Sequence, residues 1–208
     1  MLVRHRTAHI LSFQSLYNRE KGCRIGGDDV KKLGEEDINE LFDTDYVVLS
    51  AKVNISTIGF LKRKIEEIEK IALGTMKLLP EFQKLKTVTG IGDILGLTIS
   101  LETGDIRRFA KVGNYSSYCR CVGSQRLSNE KKKGEGNRKN GNKYLAWAFV
   151  EAANYTKRYC SYARRFYQRK TAKTNKIVAI KALAHKLARA SYFVMRDRVD
   201  YDPQRAFG

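Results

Sequence analysis

The chain has 208 residues, 42% hydrophobic and 30% charged, enough apolar material for one sizeable core or two small ones and too much for a disordered chain. Forty Lys and Arg against twenty-two Asp and Glu leave a formal net charge of +18. An excess of that size repels itself in a compact fold and calls for an anionic partner: nucleic acid comes first, because no long apolar run spans a membrane and the basic residues are spread over several segments.

Only two prolines interrupt the chain, Pro80 and Pro203, which leaves room for long helices. Residues 2–19 read as the first helix, with Val3, Ile10, Phe13 and Tyr17 at helical spacing. His5 and His9 stand four apart on it, but no carboxylate neighbours them, so a packed or solvated pair is the better reading than a metal site. "GCRIGGDD" is a turn in which Asp28 or Asp29 can cap a short helix, and "GEEDINELF" is another short helix. From 46 to 76, Ala51, Ile58, Ile65 and Ala72 recur every seven residues, with Leu61 and Ile68 between them. Two readings of that seam are open: a helix packed on its own domain, or a coiled-coil-like arm joining subunits in a homo-oligomer.

After Pro80, "LKTVTGIGDILGLTISLETG" places apolar residues on both sides of Gly90, Ile91 and Gly92. The pattern is that of a helix-hairpin-helix over 85–104, whose glycines permit a tight turn and whose second helix can offer backbone N–H groups to a phosphate. Some hairpins of this kind bind only protein. Residues 105–122 follow with Asp105 as a capping residue, and with Tyr115 and Tyr118 near Arg107, Arg108 and Arg120. Aromatics interleaved with arginines suit stacking on unpaired bases, and they equally suit a core. A helix over 143–169 begins with apolar residues nearly all round (Leu145, Trp147, Phe149, Val150), which predicts burial of its early turns. A second, over 173–198, carries the stripe Ile177, Ile180, Ala184, Leu187, Ser191 and Val194 and a basic remainder. No strand pattern survives, so the fold is expected to be mainly α.

Before these two helices lies a soft, basic segment, 123–143. Lys131, Lys132, Lys133, Arg138, Lys139 and Lys143 surround Gly134, Gly136 and Gly141, and Asn142 sits where the next helix begins. Glycines leave the backbone open, the cations neutralise phosphates, and a helix N-terminus points back at the loop. Ser128 offers a hydroxyl at the edge of this cradle. A serine there either hydrogen-bonds or attacks phosphorus, and no histidine stands close in sequence to act as base. The four cysteines (Cys23, Cys119, Cys121, Cys160) form no CxxC pair and read as free thiols of a reducing compartment. The basic start "MLVRHRTAHI" lacks the apolar core of a signal peptide, so a cytoplasmic location is expected.

The succession "GIGDILGLTISLETGDIRRF", "GNYSSYCRCVGS", "SNEKKKGEGNRKNGNKYLAWAFVEAA" and "ALAHKLARA" resembles the DEDD transposases of bacterial insertion sequences, the bridge-RNA-guided recombinases, over essentially the whole chain. The resemblance implies DNA recombination during transposition, with a noncoding guide RNA choosing the DNA sites. It places the nucleophile on Ser128 and the hairpin on Gly90, Ile91 and Gly92, with Glu130 standing where a glycine is expected. It also implies a RuvC-like domain in which four acidic residues bind Mg²⁺. "LVRHRTAHILSFQSL" is similar to the segment that follows that domain, so the chain is expected to be a C-terminal portion, with no metal of its own and without autonomous strand exchange. The expected division is 1–84, a helical linker and arm, and 85–208, the transposase domain. The alternative is a nonenzymatic fragment that binds nucleic acid, or oligomerises, and so modulates a full-length transposase.

Overall fold

Recurrent apolar spacing of three and four, with so few prolines, produces helices almost throughout. The computed structural model describes residues 1–123, 125–129, 131–135 and 140–208, with the backbone alone at 125–127, 132, 134 and 135. The elements are α1 (Leu2–Lys21), α2 (Gly27–Val30), α3 (Glu35–Leu41), α4 (Asp45–Met76), α5 (Pro80–Leu85), α6 (Asp93–Thr103), a 3-10 turn (Ile106–Arg108), α7 (Val112–Tyr118), β1 (Gln125–Ser128), β2 (Lys131–Glu135), α8 (Lys143–Tyr159), α9 (Ser161–Lys173), α10 (Lys176–Asp197) and α11 (Pro203–Phe207). The fold is mainly α, and it divides into two compact units, Met1–Ile71 and Ala72–Gly208.

In the first unit, Phe13, Val30, Ile38, Phe42, Val47, Ala51, Ile55 and Ile58 share one core. Tyr17, late in α1, packs edge-on against Phe42, just before α4, while His9 bonds Asn54 further along α4 at 3.0 Å. The two long helices therefore run antiparallel. The seven-residue seam is largely used here: Ala51 and Ile58 lie in this core, and Leu61 and Ile65 are also buried. Ile68 is exposed. A different line of α4 faces solvent, Tyr46, Leu49, Val53, Phe60 and Ile71. Asp28 and Asp29 do not cap α2. Its N-cap is Gly26, and both carboxylates instead pair with Lys31 and Lys32 one turn on.

The second unit is built around α10, which touches α5, α7, α8, α9 and α11. A helix surrounded on that many sides needs small residues where its neighbours approach, and Ala179, Ala184 and Ala188 supply them among Leu183, Leu187 and Tyr192. Its buried stripe starts at Ala179, two residues after the expected Ile177, which stands in solvent near the helix start. The Tyr192 hydroxyl donates to the Phe109 carbonyl at 2.8 Å, so the ring is buried without an orphaned polar group.

Three expectations are corrected. The helix expected over 143–169 breaks at Cys160, whose extended backbone (φ −116°, ψ 118°) separates α8 from α9. Composition hid the break because the thiol is a small apolar group that turns into the core, while Arg164 reaches back to the Lys157 and Arg158 carbonyls that the break frees. The early turns of α8 are not buried all round: Leu145, Ala148 and Phe149 are, whereas Tyr144 and Trp147 are about half exposed, because α8 turns one side to α6, α9 and α10 and the described residues leave these two side chains open. A strand pair also exists: β1 and β2 form an antiparallel ribbon inside the segment expected to be a loop.

Gly90 carries a positive φ of 93° where the α5–α6 connection presses on α8. A methyl group there would stand 2.6 Å from the Ala152 carbonyl oxygen and against the Thr156 hydroxyl, which itself donates to the Thr89 and Ala152 carbonyls. Gly90→Ala should therefore lower stability by about 2–4 kcal/mol. Gly113→Ala, in α7 with open space around it, should change stability by less than about 1 kcal/mol, on the stabilising side. Guanidinium unfolding followed by circular dichroism measures both.

Candidate nucleic-acid interface and reactive serine

The ribbon begins with its turn. Ser128 pairs with Lys131, which leaves two connecting residues, and Asn129 takes the left-handed conformation (φ 52°) that such two-residue turns require. Asn tolerates that conformation better than other residues with a Cβ. The pairing shifts between Arg126, opposite Gly134, and Leu127, opposite Lys132. Lys133 is thus an extra residue, a bulge of the kind that bends a strand and re-aims its side chains. Ser128, Lys131 and Lys133 are exposed, so the serine hydroxyl and two of the expected phosphate ligands stand together near the ribbon's tip. For Lys132 the backbone alone is described. Glu130, Arg138 and Lys139 lie outside the described residues.

Where the segment enters α8 it is fastened. Gly141 has φ 91° and lies so close to α7 that a Cβ would sit 2.5 Å from the Tyr118 carbonyl oxygen. Asn142 N–H donates to that same oxygen at 2.6 Å. Arg120 donates twice to the Gly141 carbonyl, at 3.0 and 2.8 Å. The Asn142 side-chain oxygen caps α8 by accepting from the Tyr144 and Leu145 N–H groups, and its amide donates to Glu102 at 2.5 Å. Asn142, expected to bind nucleic acid, thus has its polar groups engaged by the protein. Lys143 is free of the core, its ammonium 5.0 Å from the Tyr144 ring centroid.

The residues of the expected hairpin have roles in packing. Gly90 packs on α8, Ile91 is buried, and Gly92 is the N-cap of α6 with open space around it. Asp93 occupies the first turn of α6 and pairs with Lys86 at 2.5 Å, so this helix end already meets an anion of the protein's own. The hydrogen bond and charge of Lys86 hold the Asp93 carboxyl below its ordinary range.

The aromatics near the arginines divide. Tyr115 is fully buried, its hydroxyl 3.1 Å from Thr103, so it belongs to the core and not to a stacking surface. Tyr118 is half-buried under Arg108, whose guanidinium lies 4.8 Å from the ring centroid, and the Asn142 amide and then Arg108 hold its hydroxyl below the usual tyrosine value. Burial raises the Cys119 thiol strongly and pushes Cys121 up to about 12, which leaves both as poor nucleophiles beside the ribbon. Among the described residues no three His, Cys, Asp or Glu side chains converge to hold a metal ion. No helix is long and apolar enough, among the described residues, to cross a membrane.

If Asn142 fastens the ribbon, Asn142→Ala should cost about 1–2 kcal/mol through the lost cap, and Asn142→Ser, which keeps the capping oxygen, should cost less. Thermal melts of the two variants against the parent protein check the order.

No curated protein matches the chain. Residues 82–168 match the family model described as Transposase IS116/IS110/IS902. That stretch contains the expected hairpin, α7, the ribbon with Ser128 and all of α8.

Proposed function

We propose that the chain acts in insertion-sequence transposition as the DNA-handling, serine-bearing part of a recombinase. The observation that carries this reading is the exposed Ser128 at the tip of a lysine-bearing ribbon, within the stretch that matches a transposase family. Ser128 Oγ attacks a DNA phosphorus, forming a phosphoserine ester. The bridging P–O bond to one strand end breaks, and that end leaves as a hydroxyl carrying the proton that the serine gives up. Lys131, Lys132, Lys133, Arg138, Lys139 and Lys143 neutralise the phosphates around the attacked one, and Gly90-Ile91-Gly92 supports a neighbouring length of backbone. Asn142 acts as a positioning residue. A guide RNA selecting the DNA site, a homo-oligomer or co-assembly with a full-length transposase, and a separately supplied acidic domain holding Mg²⁺ complete the reading that the resemblance implies.

The test supplies a RuvC-like domain of the family in trans, with Mg²⁺, guide RNA and end-labelled DNA, and looks for a protein–DNA adduct that survives denaturing electrophoresis. Ser128→Ala should lower adduct formation by on the order of a thousandfold or more. Lys131→Ala with Lys133→Ala should lower it through DNA affinity, an effect that shrinks as salt rises. An undiminished adduct with Ser128→Ala sinks the assignment.

A further inference from the structure

On α8 the side opposite the core carries rings. Tyr144 is 51% exposed, Trp147 49%, Tyr155 47% and Tyr159 74%. With 3.6 residues per turn, these four, Glu151 and Arg158 occupy roughly a third of the helix circumference, over about 22 Å of its length. The core does not need them, since Leu145, Phe149, Ala152 and Ala153 already fill the buried side. Cations flank the rings. Lys143 lies 5.0 Å from the Tyr144 ring centroid at one end. Past the Cys160 corner Tyr162 is also exposed, with Arg165 5.0 Å from its centroid. Glu151 is the one carboxylate within the stripe.

We propose that this face is a stacking surface for single-stranded nucleic acid. Rings on one side of a rigid helix, with ammonium and guanidinium groups alongside, meet the two needs of an unpaired strand: a π-face for each base and positive charge for its phosphates. A duplex offers no free base faces, so it gains only from the cations. An acidic protein surface would pair with the cations and leave the rings unmatched. The proposal does not depend on Ser128 being a nucleophile.

Trp147 is the single tryptophan of the chain, so its fluorescence, excited selectively over that of the eleven tyrosines, reports this face. The whole protein is titrated with mixed-sequence DNA and RNA single strands of about 12 nucleotides, with the corresponding duplex, and with heparin at equal charge. Single strands should quench the emission saturably, while duplex and heparin leave it nearly unchanged. A tighter RNA arm assigns the face to a guide strand, a tighter DNA arm to an opened DNA strand. Tyr155→Ala and Tyr159→Ala, both at solvent-exposed positions, should each weaken single-strand binding by roughly 5- to 150-fold with an unchanged thermal melt, and Ser128→Ala should not weaken it. Equal quenching by heparin or duplex, no quenching by any strand, or full affinity in Tyr155→Ala overturns the proposal.

Discussion

Asn142 uses every polar group it has. Its backbone N–H holds the Tyr118 carbonyl, its own carbonyl accepts from Ala146, its side-chain oxygen caps α8 and its amide holds Glu102. A residue that satisfies both ends of a connection at once fixes where the connection leaves the fold. With Gly141 pressed on α7 and Arg120 closing on the Gly141 carbonyl, the entry to α8 becomes a clamp between the segment before the ribbon and the helix after it. The soft sequence of 123–143 can then be polar and glycine-rich without loosening the core beside it.

The large positive charge is handled in two ways. Part of it is spent on structure: Arg198 pairs with Glu81, Lys84 with Asp200, Arg107 with Asp105 and Arg196 with Asp197. These pairs are exposed and each adds little to stability, but they cancel charge locally. Elsewhere, as at Lys131, Lys133 and Lys143, the cations stand at the surface around the ribbon and α8. The second group is what an anionic polymer would meet.

Much of this was legible in the sequence where the signal was periodic or local. The long helices α1, α4 and α10 follow from apolar spacing, and Asp105 does accept from the Arg107 N–H at 2.9 Å as a capping residue should. The illegible parts depend on tertiary neighbours. Tyr115 and Tyr118 are three residues apart with similar surroundings in the chain, yet only the position of α10 and α8 decides that one is core and the other is not. The seam of α4 is visible, but its use within the first unit depends on α1 and α3 folding back onto it. The ribbon is not legible because "KKKGE" has no apolar alternation, and the tight turn that Asn129 permits is a weak signal by itself. Ser128 is legible as a hydroxyl at the edge of a basic segment, but only the resemblance separates attack from hydrogen bonding, since such a hydroxyl has no distinctive pattern of its own.

The corner at Cys160 gives α8 and α9 a relation that helix propensity alone would not. A continuous helix would carry the exposed rings around its axis at a fixed rate, whereas here the direction changes between Tyr159 and Tyr162. Arg164 holds that change by bonding the freed carbonyls of Lys157 and Arg158. One guanidinium thus serves as a bracket, setting the bend at which a polymer lying along α8 would have to continue onto α9. The curvature of any such path is then encoded in a side chain that is not itself one of the rings.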